Sequence, residues 1–415
     1  MEDAARRPGR APDGSGSPVR PHRTRAPTRA TVVWDTAFRS YDFGADHPFT
    51  ESSRGLAVRL LELSLESGES EAIEWIRSVE PAEPRVLERF HEAAYIDRVR
   101  RVGNGTETVY LDRGDTPGRP GCYDAAARLV GGAVRAAELV WEHRRPAFHP
   151  AGGLHHAGPG RASGFCIFND LAVAIASHLS SGRRIAYLDI DAHHGDGVMY
   201  GFYRSGRLLD IDFHQDGRTL FPGTGFPSEA GGGDGAGLKV NLPLPPGAGD
   251  EALLPLFHRV VPALIERFRP EMIVLQHGVD GHAGDPLAQL QYTAGAYAEI
   301  DRTTIALAQE YCGGRLLVTG GGGYRAESVS RVLARAGRLV AGLSAPDSRT
   351  PVPTAWRAEF FEETGYTAPE GWTESDRLER SPWDTADEDR LIGDLERSLG
   401  FRFPRVRSDD ATATD

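Results

Sequence analysis

Lysine is almost missing from this 415-residue chain: of 47 basic residues only Lys239 is a lysine, and the rest are arginines. That skew reads as genome composition rather than function. Cysteine is scarce too. Cys122, Cys166 and Cys312 are odd in number, far apart and free of any Cys-x-x-Cys pair, which argues against a disulfide framework and for a reduced, cytoplasmic setting. No apolar run approaches the ~18 residues of a membrane span, and the N-terminus lacks the apolar core of an export signal, so Arg6-Arg7 does not mark one. The Asn104-Gly-Thr106 sequon is idle in such a compartment. A positive balance is also absent. The formal charge of -12 speaks against a general nucleic-acid binder, whose affinity rests on neutralising phosphates, and suits a cationic substrate.

The length allows one large α/β domain or two ordinary ones. Residues 1–30 are rich in Arg, Pro, Gly and Ser and cannot bury enough surface to offset ordering, so they read as a disordered tail. From Thr31 onward, short apolar runs alternate with helical patterns. Thr31 to Trp34, Arg184 to Leu188, Leu208 to Phe213, Met272 to Gln276 and Leu316 to Thr319 read as strands; Arg54 to Leu65, Tyr123 to His143, Asn169 to Ser180, Asp250 to Arg269 and Ala294 to Tyr311 read as helices. The alternation predicts an α/β fold, a single domain over 31–345 with a parallel sheet sandwiched between helices. Residues 346–415 read as an appended C-terminal extension whose best helix is Glu388 to Leu399, with Trp356, Trp372 and Trp383 as packing anchors. The glycine-rich stretch 223–237 reads as a flexible rim.

Chemistry gathers after the strands. Ile185 to Leu188 runs into Asp189-Ile-Asp191-Ala-His193-His194-Gly-Asp196, and strand alternation would point Asp189, Asp191 and His193 the same way. Carboxylates at the end of a buried strand need a cation or charged partners. Gly152-Gly-Leu-His155-His156 precedes Ser163-Gly164-Phe165-Cys-Ile-Phe-Asn169-Asp170; Gln276-His277-Gly-Val-Asp280 follows, and Leu317-Val-Thr runs into Gly320 to Gly323 and Tyr324. Singly each has a bland reading. A His-His pair is more often incidental than catalytic, a glycine run is usually a turn, and Asp170 or Asp250 reads as a helix cap. Phe165, Phe221 and Leu287 could be ordinary core.

In this order, the four motifs resemble the histone deacetylase family over about residues 31 to 345, within the arginase/deacetylase superfamily, and look most like the bacterial acetoin-utilisation deacetylases. The resemblance implies that Asp191, His193 and Asp280 hold one metal ion, normally Zn2+, with Fe2+ also accommodated by mixed oxygen and nitrogen donors. It implies His156 as the proton-transferring base, His155 as its orienting partner, Asp189 and Asp196 as the carboxylates behind His155 and His156 respectively, and Tyr324 as the oxyanion donor. Gly164, Phe165 and Phe221 would line the acyl-lysine channel, Leu287 would stand at its mouth, and Asp115 would be a rim residue that accepts hydrogen bonds from substrate backbone. His194, His277 and His282 receive no role.

The chain departs from the family pattern twice. His47-Pro48 is followed by an arginine one residue late and without the usual proline, which puts Arg54 in doubt as the lining of an acetate exit. Asp212 stands where relatives carry serine near a monovalent-cation site, and is expected to strengthen K+ binding. The implied activity is hydrolysis of acetyl-lysine amides on a protein or peptide, and the acetoin-utilisation likeness suggests a metabolic enzyme such as acetyl-CoA synthetase as the target. Three rivals stand beside it. An acetylpolyamine amidohydrolase would want carboxylates at the tunnel mouth where Leu287 sits; an arginase-like ureohydrolase would want a second metal and more bridging aspartates; an inactive acyl-lysine binder would want reactive residues missing.

Overall fold

The computed structural model describes residues 29–44, 46–374 and 383–404. Its strands in chain order are β1 (Ala30–Val33), β2 (Ile73–Ile76), β3 (Val109–Tyr110), β4 (Pro117–Gly118), β5 (Ala147–His149), β6 (Ile185–Asp189), β7 (Leu208–Gln215), β8 (Lys239–Leu244), β9 (Met272–Gln276) and β10 (Leu316–Thr319). Its helices are α1 (Ser52–Leu63), α2 (Pro84–Leu87), α3 (Ala93–Gly103), α4 (Cys122–His143), α5 (Asp170–Leu179), α6 (Asp196–Gly201), α7 (Asp250–Phe268), α8 (Ala294–Cys312), α9 (Ala326–Val340), α10 (Thr354–Thr364) and α11 (Thr385–Leu399). The five strands and five helices expected from periodicity are present with ends shifted by at most two residues. The expected tail lies outside the described residues up to 28, and Ala30 already belongs to β1.

Eight strands form one sheet in the order β2-β1-β5-β10-β9-β6-β7-β8, and every neighbouring pair is parallel. Successive side chains on β6 part company: Ile185 and Tyr187 join the core formed with α3, α4 and α5, while Ala186 and Leu188 join the core formed with α7, α8 and α9. Burial on both faces is why these strands read as continuous apolar runs. The chain builds outward from β6 to β8, then returns to lay β9 on the opposite side of β6. Ligand crevices form at such a reversal, beyond the carboxyl ends of the strands. The loops after β5, β10, β9 and β6, four adjacent strands, carry every motif singled out above.

The segment beyond residue 345, read above as a surface appendage, contributes to the core. Trp356 is fully buried and its indole Nε1 donates to Leu56 O at 2.8 Å, while Leu391, Ile392 and Leu395 of α11 are buried as well. Helix α9 escaped the sequence reading although Val329, Val332, Leu333, Ala336 and Val340 form an unbroken apolar stripe; Arg331, Arg335 and Arg338 lie on its other face. All three are buried, with Arg331 Nη1 donating to Gly371 O at 3.2 Å and Arg338 Nη1 to Ser64 O at 2.7 Å. Arginine stems pack as apolar material while the heads find carbonyls.

Candidate metal centre

Past the end of β6 the backbone leaves the sheet, and Asp191 and His193 meet Asp280 from the loop after β9. One donor atom from each of these three buried residues lies within 4.8 Å of the others. His193 Nδ1 is 3.2 Å from Asp191 Oδ1 and 2.9 Å from Asp280 Oδ2. Main-chain and amide donors fix the outer oxygens: Gln276 Nε2 (2.8 Å) and Gly322 N (2.7 Å) donate to Asp191 Oδ2, and Ala192 N donates to Asp280 Oδ1 at 2.7 Å. Any side chain at Gly322 would collide with the Asp280 carboxylate, so the glycine run is what lets the two loops close on each other. Burial and the neighbouring Asp191 raise the Asp280 carboxyl to about 7. Burial also opposes charge on Asp191, yet His155 and His193 hold it well below the carboxylate range. Burial would lower His193, but the two carboxylates outweigh it and raise it to about 10. Two carboxylates and an imidazole compressed in this way, with two oxygens and one nitrogen converging, fit a divalent cation.

Two histidines on the loop after β5 face this group. His155 Nδ1 donates to Asp189 Oδ2 at 2.7 Å, and His156 Nδ1 donates to Asp196 Oδ1 at 2.8 Å. Their Nε2 atoms are 3.0 Å apart, so the pair readily carries one proton and resists two. Their environments split them. Burial works against charge on His155, but Asp189 and Asp191 raise it to about 10; burial and the charge of His155 lower His156 to about 4 in spite of Asp196. Tyr187, two residues before Asp189 on the same strand face, donates its hydroxyl to Asp189 Oδ2 at 2.5 Å.

A cavity of about 240 Å³ leads down to these groups, lined by Asp115, His156, Gly164, Phe165, His193, Leu220, Phe221, Leu287 and Tyr324. The structure thus brings together the thirteen residues given roles above: eight line the tunnel, Asp191 and Asp280 complete the donor group with His193, and His155, Asp189 and Asp196 stand behind them. Gly164, at φ 51°, is tight against His156 and Phe221, where a Cβ would lie 2.5 Å from His156 Cδ2. Phe165 itself has φ 67°, a strained value for a bulky residue that is held by Thr116 Oγ1, which accepts from Phe165 N at 3.1 Å, and by Tyr41, whose hydroxyl donates to Phe165 O at 2.6 Å. Its ring then meets Tyr324 edge-on at 5.9 Å. Burial, with Asp280 and Asp191 nearby, keeps the Tyr324 phenol protonated far into the alkaline range.

Several supporting residues were not legible as such. Asp170 is not the cap of α5; Asn169 caps it by accepting from Ala172 N at 2.8 Å, and Asp170 reaches back to accept from Leu154 N at 2.8 Å and Gly153 N at 3.1 Å, bracing the loop that carries the histidines. Nor does Asp250 cap α7; it accepts from Thr293. Asp285 accepts from Tyr324 N and from Leu287 N, both at 2.9 Å, and so ties Tyr324 to the mouth of the tunnel. Alternation along β6 could have found Tyr187; nothing local announces Asp170 or Asp285. His194 packs against His214 and bonds Thr224 Oγ1 at 2.8 Å, away from the donor group. Arg54 is buried, donating to Thr50 O at 2.9 Å and to Gly321 O. Both oxygens of Asp212 are engaged by protein, one 2.6 Å from His214 Nδ1 and the other accepting from Gly195 N at 2.7 Å. The three cysteines are buried and free, and no helix among the described residues is long and apolar enough to cross a membrane.

Groups able to move a proton stand beside a buried donor set at the blind end of a tunnel, and the carboxyl edge of the sheet holds all of them. That is the arrangement of a hydrolase. The sequence model of the histone deacetylase domain matches residues 47–339, and the chain belongs to the histone deacetylase family. It is 35% identical over 358 residues to the acetoin utilization protein AcuC of Bacillus subtilis, a match covering 83% of this chain and 90% of that protein. AcuC of Staphylococcus xylosus is 32% identical over 352 residues, covering 82% of this chain and 90% of its own length. A probable deacetylase of Archaeoglobus fulgidus is 39% identical over 248 residues, 57% of this chain and 68% of that protein.

Proposed function

We propose that the chain is a metal-dependent deacetylase that hydrolyses acyl-lysine amides on protein or peptide substrates, with Asp191, His193 and Asp280 holding one zinc or ferrous ion. The observation that carries the reading is the split histidine pair, each member backed by its own carboxylate and both turned to the donor group. A cation held there would polarise the amide carbonyl and make the attacking water more acidic. His156, kept neutral by burial beside charged His155, accepts the proton of that water only in passing, because the pair resists two, and delivers it to the departing lysine amine. His155, charged and tethered to Asp189, orients its neighbour and offsets negative charge as the carbonyl oxygen gains it. Tyr324 keeps its proton, so it donates a hydrogen bond to the same oxygen. Phe165 and Phe221 flank the methylenes, Gly164 leaves them room, and Asp115 receives substrate backbone at the rim.

Leu287 at the tunnel mouth supports acyl-lysine over an acetylated polyamine, whose second amine would favour a carboxylate there. The three-residue donor group supports one ion rather than the two of an arginase-like site, and the full set of proton-handling residues speaks against a silent binder. A narrower form of the proposal, drawn from the resemblance, is a target in acetyl-group metabolism such as acetyl-CoA synthetase. The test is metal-stripped protein reconstituted with zinc or ferrous ion and assayed on an acetyl-lysine peptide beside acetylputrescine. Peptide turnover dependent on added metal is expected. Turnover of the polyamine alone defeats the substrate assignment, and peptide turnover without metal defeats the mechanism.

A further inference from the structure

We infer that a second groove, walled on one side by the C-terminal segment, binds the polypeptide that flanks the acyl-lysine. The inference rests on the acyl-lysine reading above and extends it from the tunnel to the surface around it. A cavity of about 820 Å³, more than three times the tunnel's 240 Å³, lies between the loop before α1, the start of α9, and the end of α10 with the residues after it. Tyr324 lines both cavities. His47 stands in the wall between them: it lines the groove, its Nε2 is 3.2 Å from Asp115 O, and its ring lies 4.6 Å from that of Phe165, two residues of the tunnel lining. A lysine side chain threaded into the tunnel therefore leaves its main chain at the edge of this groove.

The lining suits a peptide better than an acyl tail or a small amine. Thr50 and Thr367 offer hydroxyls to a main chain, those of Ser52 and Thr364 being tied to Glu363 Oε1 and Phe360 O, and Tyr366, 74% exposed, offers an aromatic face. Exposed tyrosine is a recurrent contact in protein recognition because it brings much area with little entropy loss. Carboxylates exceed guanidinia in the lining, with Asp42, Glu327 and Glu363 against Arg325. Each acid already pairs with an arginine, namely Arg119, Arg325 and Arg39, so the lining is close to charge-neutral. The occupant is thus a polar segment of the acylated protein. Residues 354–367, which supply Phe360, Glu363, Thr364, Tyr366 and Thr367, lie beyond the family-model match at 47–339, so this side of the groove stands outside the histone deacetylase domain proper.

The test compares a capped single acetyl-lysine with acetyl-lysine peptides extended by up to four residues on one side or the other. Wild-type protein and the surface variants Tyr366→Ala and Thr367→Arg are measured on each. Extension on one side should raise kcat/KM by about tenfold or more, chiefly through KM, and each variant should remove most of that gain while leaving the capped amino acid unaffected. Equal kcat/KM for the capped amino acid and both peptide series, or variants that keep the full gain, overturns the groove while the acyl-lysine reading stands. No turnover on any of these substrates by the metal-loaded enzyme overturns that reading, and the groove with it.

Discussion

Metal affinity should depend on pH in a way that reports the compressed charge around Asp191, His193 and Asp280. Without an ion, Asp280 holds a proton below about pH 7 and His193 holds one below about pH 10, and a ligand must release its proton to bind. Affinity therefore falls as pH falls. One proton is displaced between pH 7 and 10 and two below 7, so each unit costs about 1.4 kcal/mol in the upper window and about 2.7 kcal/mol in the lower. Zinc titrations against a fluorescent chelator from pH 5 to pH 9, corrected for the chelator's own protons, should give a slope near one that steepens to near two. Calorimetry in buffers of different ionisation enthalpy counts the same protons. Asp280→Asn should lose the steep limb and, with one of the two carboxylates that raise His193 gone, end the shallow limb at a lower pH. An unperturbed imidazole, with its pKa near 6.5, would leave affinity flat above about pH 8; a flat upper limb refutes the charge arrangement described here. Stripping the ion at pH 7.5 should also lower the melting temperature, because an ion at about a hundred times its Kd adds about 2.7 kcal/mol.

Tyr324→Phe should lower kcat by about 10²- to 10³-fold with little change in KM or melting temperature, as loss of one oxyanion donor does elsewhere; steady-state kinetics beside a thermal melt separate this from misfolding. Leu287→Glu should shift the ratio of acetylputrescine to acetyl-lysine peptide turnover toward the amine, and an unchanged ratio would mean that position 287 does not select at the mouth. Trp356→Ala removes a fully buried indole and its bond to Leu56 O, and should cost about 3 to 5 kcal/mol in denaturant unfolding; a loss below about 1 kcal/mol would mean the C-terminal segment is not integral to the core.

What could be read in advance follows from how far each signal reaches along the chain. Strand β9 was legible to the residue because Met272 to Gln276 is apolar on both faces and bounded by Pro270 and Gly278. Strands β2 and β5 were not, since four and three residues carry no periodicity and owe their existence to β1 between them. The reactive groups were legible for the opposite reason. Histidine pairs, strand-end aspartates and a glycine run are improbable in sequence, and four of them in one order carry a family resemblance. The groups that hold them in place have no such mark. Asp170 looks like any helix-capping aspartate until Gly153 and Leu154 are seen to donate to it, and Asp285 looks like a turn residue until Tyr324 and Leu287 are seen to share it.

That asymmetry has a physical root. A proton-transfer group must be a histidine, a carboxylate or a phenol whatever surrounds it, so its chemistry shows in the residue type. A positioning group need only offer an acceptor at the right place, and place is a property of the sheet. Because β5, β10, β9 and β6 are neighbours although residues 150 to 324 separate their loops, Asp285 can join Tyr324, 39 residues away, to a tunnel mouth two residues away. Substituting Asp285→Asn keeps the size and one acceptor oxygen but cannot accept from both amides without turning an amide nitrogen toward one of them. If the joint matters, kcat should fall about tenfold and the preference set by position 287 should loosen together, since both ends hang on one carboxylate. If kcat falls and selectivity stays, Asp285 serves Tyr324 alone, and the mouth of the tunnel is held by something else.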